Sequence, residues 1–144
     1  LAALCVGDVY DSQLAVRDRF TLQRHHTKGS RTRTVFVNQS LKHTLDHYTA
    51  YLLNPHPSAP LFASQKGGHF SANTMCQLFL TVFADCGLKG PSSHTPIRTF
   101  ITRLANKGIG MRILVELAGH SSIAVTQRYI DVNDTKLAQA VGLV

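Results

Sequence analysis

At 144 residues, with 44% apolar and 16% charged side chains, the chain is long enough for one domain with a buried core and too apolar for a disordered tail. Its 15 Lys and Arg against 8 Asp and Glu leave a formal charge of +7, which makes a polyanion the expected partner, because each phosphate neutralised releases counterions. No apolar run approaches the roughly 20 residues of a bilayer-spanning helix and no signal-like start is visible, so a soluble, cytoplasmic protein is expected.

Residues 1–6 read as the tail of a helix that stops at Gly7-Asp8 without an N-cap of its own, so a chain truncated at its N-terminus is expected. Over residues 17–24 Phe20 and Leu22 alternate with polar residues. Over 32–38 Val35 and Val37 fall on one face, with Thr34 and Phe36 on the other. These are two antiparallel strands. Their connection contains Gly29 and sets Lys28 at its tip, where a four-carbon stem reaches a bound phosphodiester. Arg31 and Arg33 share one strand face, where they would extend the basic surface unless one is held in a structural ion pair.

Ser40 is the expected cap of a helix over 41–53 with an apolar face of Leu41, Leu45, Tyr48 and Leu52. The proline-rich stretch 54–60 cannot remain helical, and Leu61-Phe62 ahead of Gln65-Lys66-Gly67-Gly68 predicts a short strand and turn. Ser71 opens a helix to about Cys86, with Met75, Leu78, Phe79, Val82 and Phe83 as a broad buried stripe, and Gly87 ends it. A helix from near His94 to Lys107 turns Phe100, Ile101 and Leu104 inward, and one over 111–118 does the same with Ile113, Leu114 and Leu117. Ser121-Ser122 then cap a short helix that has Tyr129 near its end. The tail beyond Asp134 is a weakly amphipathic helix carrying Leu137, Ala138, Val141 and Leu143. Together these predict a mainly α-helical fold with a small antiparallel β-hairpin at one edge, an α+β domain over residues 1–144.

Cys5, Cys76 and Cys86 are odd in number and set among apolar residues, so reduced core cysteines are expected rather than a disulfide framework or a zinc site. His25-His26 has no ligand partner at metal spacing. Neither a metal nor any other cofactor is expected.

The reactive side chains collect between residues 94 and 129, where His94, His120, several guanidiniums and Tyr129, a phenol among polar neighbours, lie close in sequence. The run His94-Thr-Pro-Ile-Arg-Thr-Phe100, followed by Leu117-Ala-Gly-His120-Ser-Ser-Ile123 and Thr126-Gln-Arg-Tyr129, resembles the C-terminal catalytic domain of the tyrosine recombinases, the phage integrase family. The stretch 27–35 is similar to that family's lysine-bearing β-hairpin, so the resemblance covers nearly the whole chain.

The resemblance implies a site-specific recombinase that cleaves and rejoins double-stranded DNA through a 3′-phosphotyrosyl intermediate, acting as a tetrameric synapse in the nucleoid. Such chemistry needs an in-line nucleophile, cations on the non-bridging oxygens and an acid for the leaving 5′-oxygen. Tyr129 would be the nucleophile and Lys28 the acid. His120 would donate to a phosphate oxygen and His94 would act as acid or base, all four in one basic cleft, with Lys28, Arg31 and Arg33 along the DNA and the C-terminal helix docked on a neighbouring copy.

The chain departs from the pattern at one point. The family's His-x-x-Arg calls for arginine at 97, where this chain has Ile97 and then Arg98. One residue rotates a helical side chain by about 100°, so Arg98 is expected to point away from the phosphate. The family's upstream Gly-Leu-Arg-type segment is also absent from residues 1–144. An impaired recombinase is therefore expected. The alternative is an inactive DNA-binding or assembly module on the same fold, and type IB topoisomerases, which share the chemistry, fit Gly119-His120 less well.

Overall fold

In the computed structural model of the chain, alternating side chains build the hairpin. Strand β1 (Arg19–Leu22) pairs antiparallel with β2 (Arg33–Phe36), Phe20 opposite Val35, and Phe20 and Leu22 turn inward while Phe36 stays exposed. The structure describes residues 1–24, 32–88, 90–92, 94–130 and 134–142. Within them the chain is mostly helical with this one two-stranded sheet, as its patterning predicts. No described helix is long and apolar enough to cross a membrane.

Contacts divide the chain into two compact units, Leu1–Gly90 and Pro91–Val144. The first is built on Leu4, Val6, Val9, Tyr10, Val16 and Leu61, with Phe20, Leu22, Val37, Leu45 and Tyr48 packed against them. The wholly buried Tyr10 donates its hydroxyl to the Leu45 carbonyl at 2.7 Å, a satisfied buried polar group.

The N-terminal segment is not the tail of a helix. Helix α1 runs Val6–Val9 behind an N-cap at Cys5, whose amide donates to the Asp8 carboxylate at 2.8 Å. Residues at and before its start are bridged to a later segment, with Val6 N–H bonded to Ala59 O at 2.9 Å and Leu61 N–H to Leu4 O at 2.8 Å. These bonds hold Leu4 alongside Leu61, and both are buried. The strand expected at Leu61-Phe62 accordingly shrinks to isolated bridges, Cys5 with Pro60 and Ala63 with His69.

Helix α2 (Gln39–Tyr48) is capped by Asn38, whose side chain accepts from Leu41 N–H at 2.8 Å, not by Ser40. A 3₁₀ turn, Thr49–Tyr51, follows it. Helix α3 (Ala72–Asp85) begins at Ser71, which accepts from Thr74 N–H at 3.0 Å. Its expected stripe is narrower than the periodicity implied. The row Met75, Phe79, Phe83 turns inward, whereas Leu78 and Val82, on the adjacent row, are 43% and 46% exposed. Cys86 is exposed and Cys5 and Cys76 only half-buried, so none is a core residue.

The second unit stacks α4 (Thr95–Asn106), α5 (Met111–Ala118) and α6 (Ile123–Gln127), with α7 (Asp134–Val141) beyond. Pro96 sits in the first turn of α4, where no amide is missed. Ile101, Leu114 and Ala118 form the buried centre. Phe100 and Ile113, expected inside, are 43% and 57% exposed, because each is rotated by about 100° from a neighbour, Ile101 or Leu114, that takes the inward position.

Candidate active site

Helix α5 ends at Gly119, which adopts φ 67°, a left-handed conformation that costs a side-chain-bearing residue about 1–2 kcal/mol. His120 N–H returns to the Val115 carbonyl at 3.2 Å, the bond that closes a Schellman motif. The turn leaves the His120 ring half-buried, its Nδ1 at 2.9 Å from the hydroxyl of Thr126 on α6. Thr126 is wholly buried.

Tyr129 lies two residues past the end of α6, its amide bonded to Thr126 O at 3.0 Å. Its carbonyl accepts from Thr102 Oγ1 on α4 at 2.9 Å. That bond ties the segment carrying the phenol to the middle of α4. The half-buried Tyr129 ring lies 5.8 Å, centroid to centroid, from the His120 ring, tilted by 40°. The guanidinium carbon of Arg98 stands over its face at 5.7 Å from the centroid, within the range of cation–π attraction.

His94, Arg98 and Thr102 are spaced four residues apart and so share one row along α4. The last two contact Tyr129, while His94 is exposed at the helix N-cap. Ile97 is half-buried. Of the residues singled out from the sequence, the structure thus brings His120, Tyr129 and Arg98 into one cluster and sets His94 on the row leading to it. Lys28 and Arg31 lie outside the described residues, as do His25-His26 and Gly29. Arg33 is half-buried on β2, opposite Leu22, in the other unit. Among the described residues no group of three or more His, Cys, Asp or Glu comes within metal-binding range.

Thr102 drew no notice in the sequence, and Thr126, though it opens the Thr126-Gln-Arg-Tyr129 run, was given no role. A threonine inside a helix reads as a neutral surface residue, and the only local signal was spacing: Thr102 one turn after Arg98, Thr126 one turn before Tyr129.

The chain as a whole resembles known proteins. Residues 4–136 match the model of the phage integrase family. The tyrosine recombinase XerD of Pseudomonas putida is 34% identical over 117 residues, 78% of this chain and 39% of that protein. A XerC recombinase of Nitrobacter winogradskyi is 32% identical over 116 residues, covering 76% of this chain and 35% of its own length. The chain therefore spans well under half of these relatives. Among solved structures, XerA recombinase superposes with a TM-score of 0.74 at 23% identity over 99% of this chain and 50% of that one. The post-cleavage complex of XerH bound to its difH substrate gives 0.69 at 20% identity, over 97% of this chain and 39% of that one. At such identities the superpositions speak for the fold, while the family match and the Xer relatives speak for descent: the chain belongs to the phage integrase family of site-specific tyrosine recombinases.

Proposed function

We propose that the chain is the catalytic segment of a DNA strand transferase, its two units forming one catalytic domain, as the family match across both supports. The observation that carries the reading is the packing of His120 and Arg98 around the Tyr129 phenol, which gathers a nucleophile, a hydrogen-bond donor and a cation. Tyr129 attacks the scissile phosphorus. A P–O bond to the phenol forms as the P–O5′ bond breaks, His94 takes the phenol proton, and Lys28 gives one to the departing 5′-oxygen. His120 donates to a non-bridging oxygen. One phosphodiester is exchanged for another, so the reverse step rejoins the strand without ATP.

Double-stranded DNA is the proposed partner, in keeping with the XerH complex whose fold the chain shares and with the +7 charge. Arg31, Arg33 and Lys28 would track its backbone, and the working site would be the nucleoid. A tetrameric synapse is proposed as the active assembly. The exposed Leu137 and Val141 of α7 would then be covered by a neighbouring copy.

Ile97 favours a second reading, a DNA-binding module on the same fold that has lost catalysis. Incubation with a randomised pool of nicked duplexes, followed by a denaturing gel, separates the two. A slow covalent protein–DNA species that vanishes in Tyr129→Phe supports strand transfer. DNA binding without any such species, in the chain as it stands and after Ile97→Arg, supports the module.

A further inference from the structure

A wholly buried hydroxyl must find a partner, and the Thr126 hydroxyl finds Nδ1 of His120 at 2.9 Å. The choice of donor in this bond decides what the other ring nitrogen can do. If Nδ1 carried the proton of a neutral imidazole, Nε2 would present a lone pair, which repels a phosphate oxygen. If Thr126 donates, the proton resides on Nε2 and the ring becomes a donor at that edge.

We propose that Thr126 is a positioning residue that donates its hydroxyl proton to Nδ1 of neutral His120, fixing the Nε2–H tautomer and the ring's orientation beside Tyr129. The inference rests on the reading of His120 as the donor to the scissile phosphate. The surrounding geometry suits the task. Thr126 stands on α6 one turn before Tyr129, whose amide bonds to the Thr126 carbonyl at 3.0 Å, so a single residue fixes the nucleophile's backbone and the histidine's ring together. Gly119, at φ 67°, sets the His120 backbone, and the hydroxyl sets its ring.

The test uses nitrogen-15 NMR of the histidine rings near neutral pH, alongside covalent trapping on the nicked-duplex pool. His120 in the unaltered chain is expected to show a protonated Nε2 and an unprotonated Nδ1. Thr126→Val should give a tautomer mixture and slow trapping on the order of 10–100-fold, the loss seen when a partner orienting a metal-ligating histidine is removed, while Thr126→Ser restores both. A protonated Nδ1 in the unaltered chain overturns the proposal even if Thr126→Val does not fold. So does a Thr126→Val chain with unchanged tautomer and trapping. If no chain traps DNA at all, the strand-transfer reading fails, yet the ring spectra still decide whether Thr126 sets the tautomer.

Discussion

Replacing Ile97 by arginine, in a chain extended upstream by the family's arginine-bearing segment, separates two roles for the guanidiniums of α4. Arg98 lies 5.7 Å from the Tyr129 ring centroid, and at an exposed site such a contact is worth about 0.5–1 kcal/mol. Arg98→Ala should therefore slow covalent trapping only by a factor of about 2–5. A donor aimed at the transferring phosphate acts on charge that develops in the transition state, and its absence typically costs about 10²–10³ in rate. Ile97→Arg should accordingly speed trapping on the order of 10²-fold. DNA affinity should change far less, since one more phosphate contact adds only modestly to ground-state binding while most of the donor's effect is realised in the transition state. Half-buried Ile97 stands in the first turns of α4 next to exposed Pro96 and Arg98, which leaves a longer side chain a way out. The assay is single-turnover trapping with protein in excess, so that the rate reports chemistry, with affinity measured separately by anisotropy. The reasoning fails if Ile97→Arg changes nothing and Arg98→Ala removes trapping altogether, for Arg98 would then hold the phosphate itself.

DNA affinity should fall steeply with salt, log K against log salt having a slope of about −0.9 per phosphate contacted on duplex DNA; a flat response on filter binding would point to a protein partner. Burial pushes the Tyr10 phenol up to about 12, with Tyr48 and Asp46 adding to the effect. The fold favours the neutral phenol, so its contribution is complete below the ordinary value of 10.0 and is lost as pH rises toward about 12. Tyr10→Phe should cost about 1 kcal/mol at neutral pH through the lost bond to Leu45 O and should flatten the alkaline limb of a denaturation series. An unchanged limb would show that another group controls it. Gly119→Ala forces a side chain into the left-handed region, so melting should report a loss of about 1–2 kcal/mol. Trapping should fall with it, because the His120 turn is displaced.

The hairpin and the helices were legible where periodicity met a cap. Ser71 and Gly87 bracket α3 as read, and Phe20, Leu22 and Val35 keep the alternation that sets the strand register. What failed was local competition. Asn38 outbid Ser40 as a cap two residues earlier, and the pairing of Leu4 with Leu61 overrode a helical reading of residues 1–6. Helical spacing located the apolar stripes but not their width, which depends on the neighbours that cover them; Leu78, Phe100 and Ile113 show this. At the candidate site residue type and the family resemblance singled out His120 and Tyr129, whose ring centroids lie 5.8 Å apart. Their supports were not legible: Thr102 and Thr126 act through bonds to residues 27 and 6 positions away, and no local pattern records a partner across a fold. The closeness of Arg98 to Tyr129 was equally hidden, because helical register sets the direction of a side chain on α4 and not what packs against it.

The central claim, that Tyr129 is the atom-bearing nucleophile, is tested most directly by mass spectrometry of the covalent adduct after proteolysis and nuclease digestion. The chain has 4 tyrosines, at positions 10, 48, 51 and 129. The account predicts a nucleotide joined through its 3′-phosphate to the peptide containing Tyr129 and to no other. An adduct on Tyr10, Tyr48 or Tyr51, or one joined through a 5′-phosphate, would contradict it.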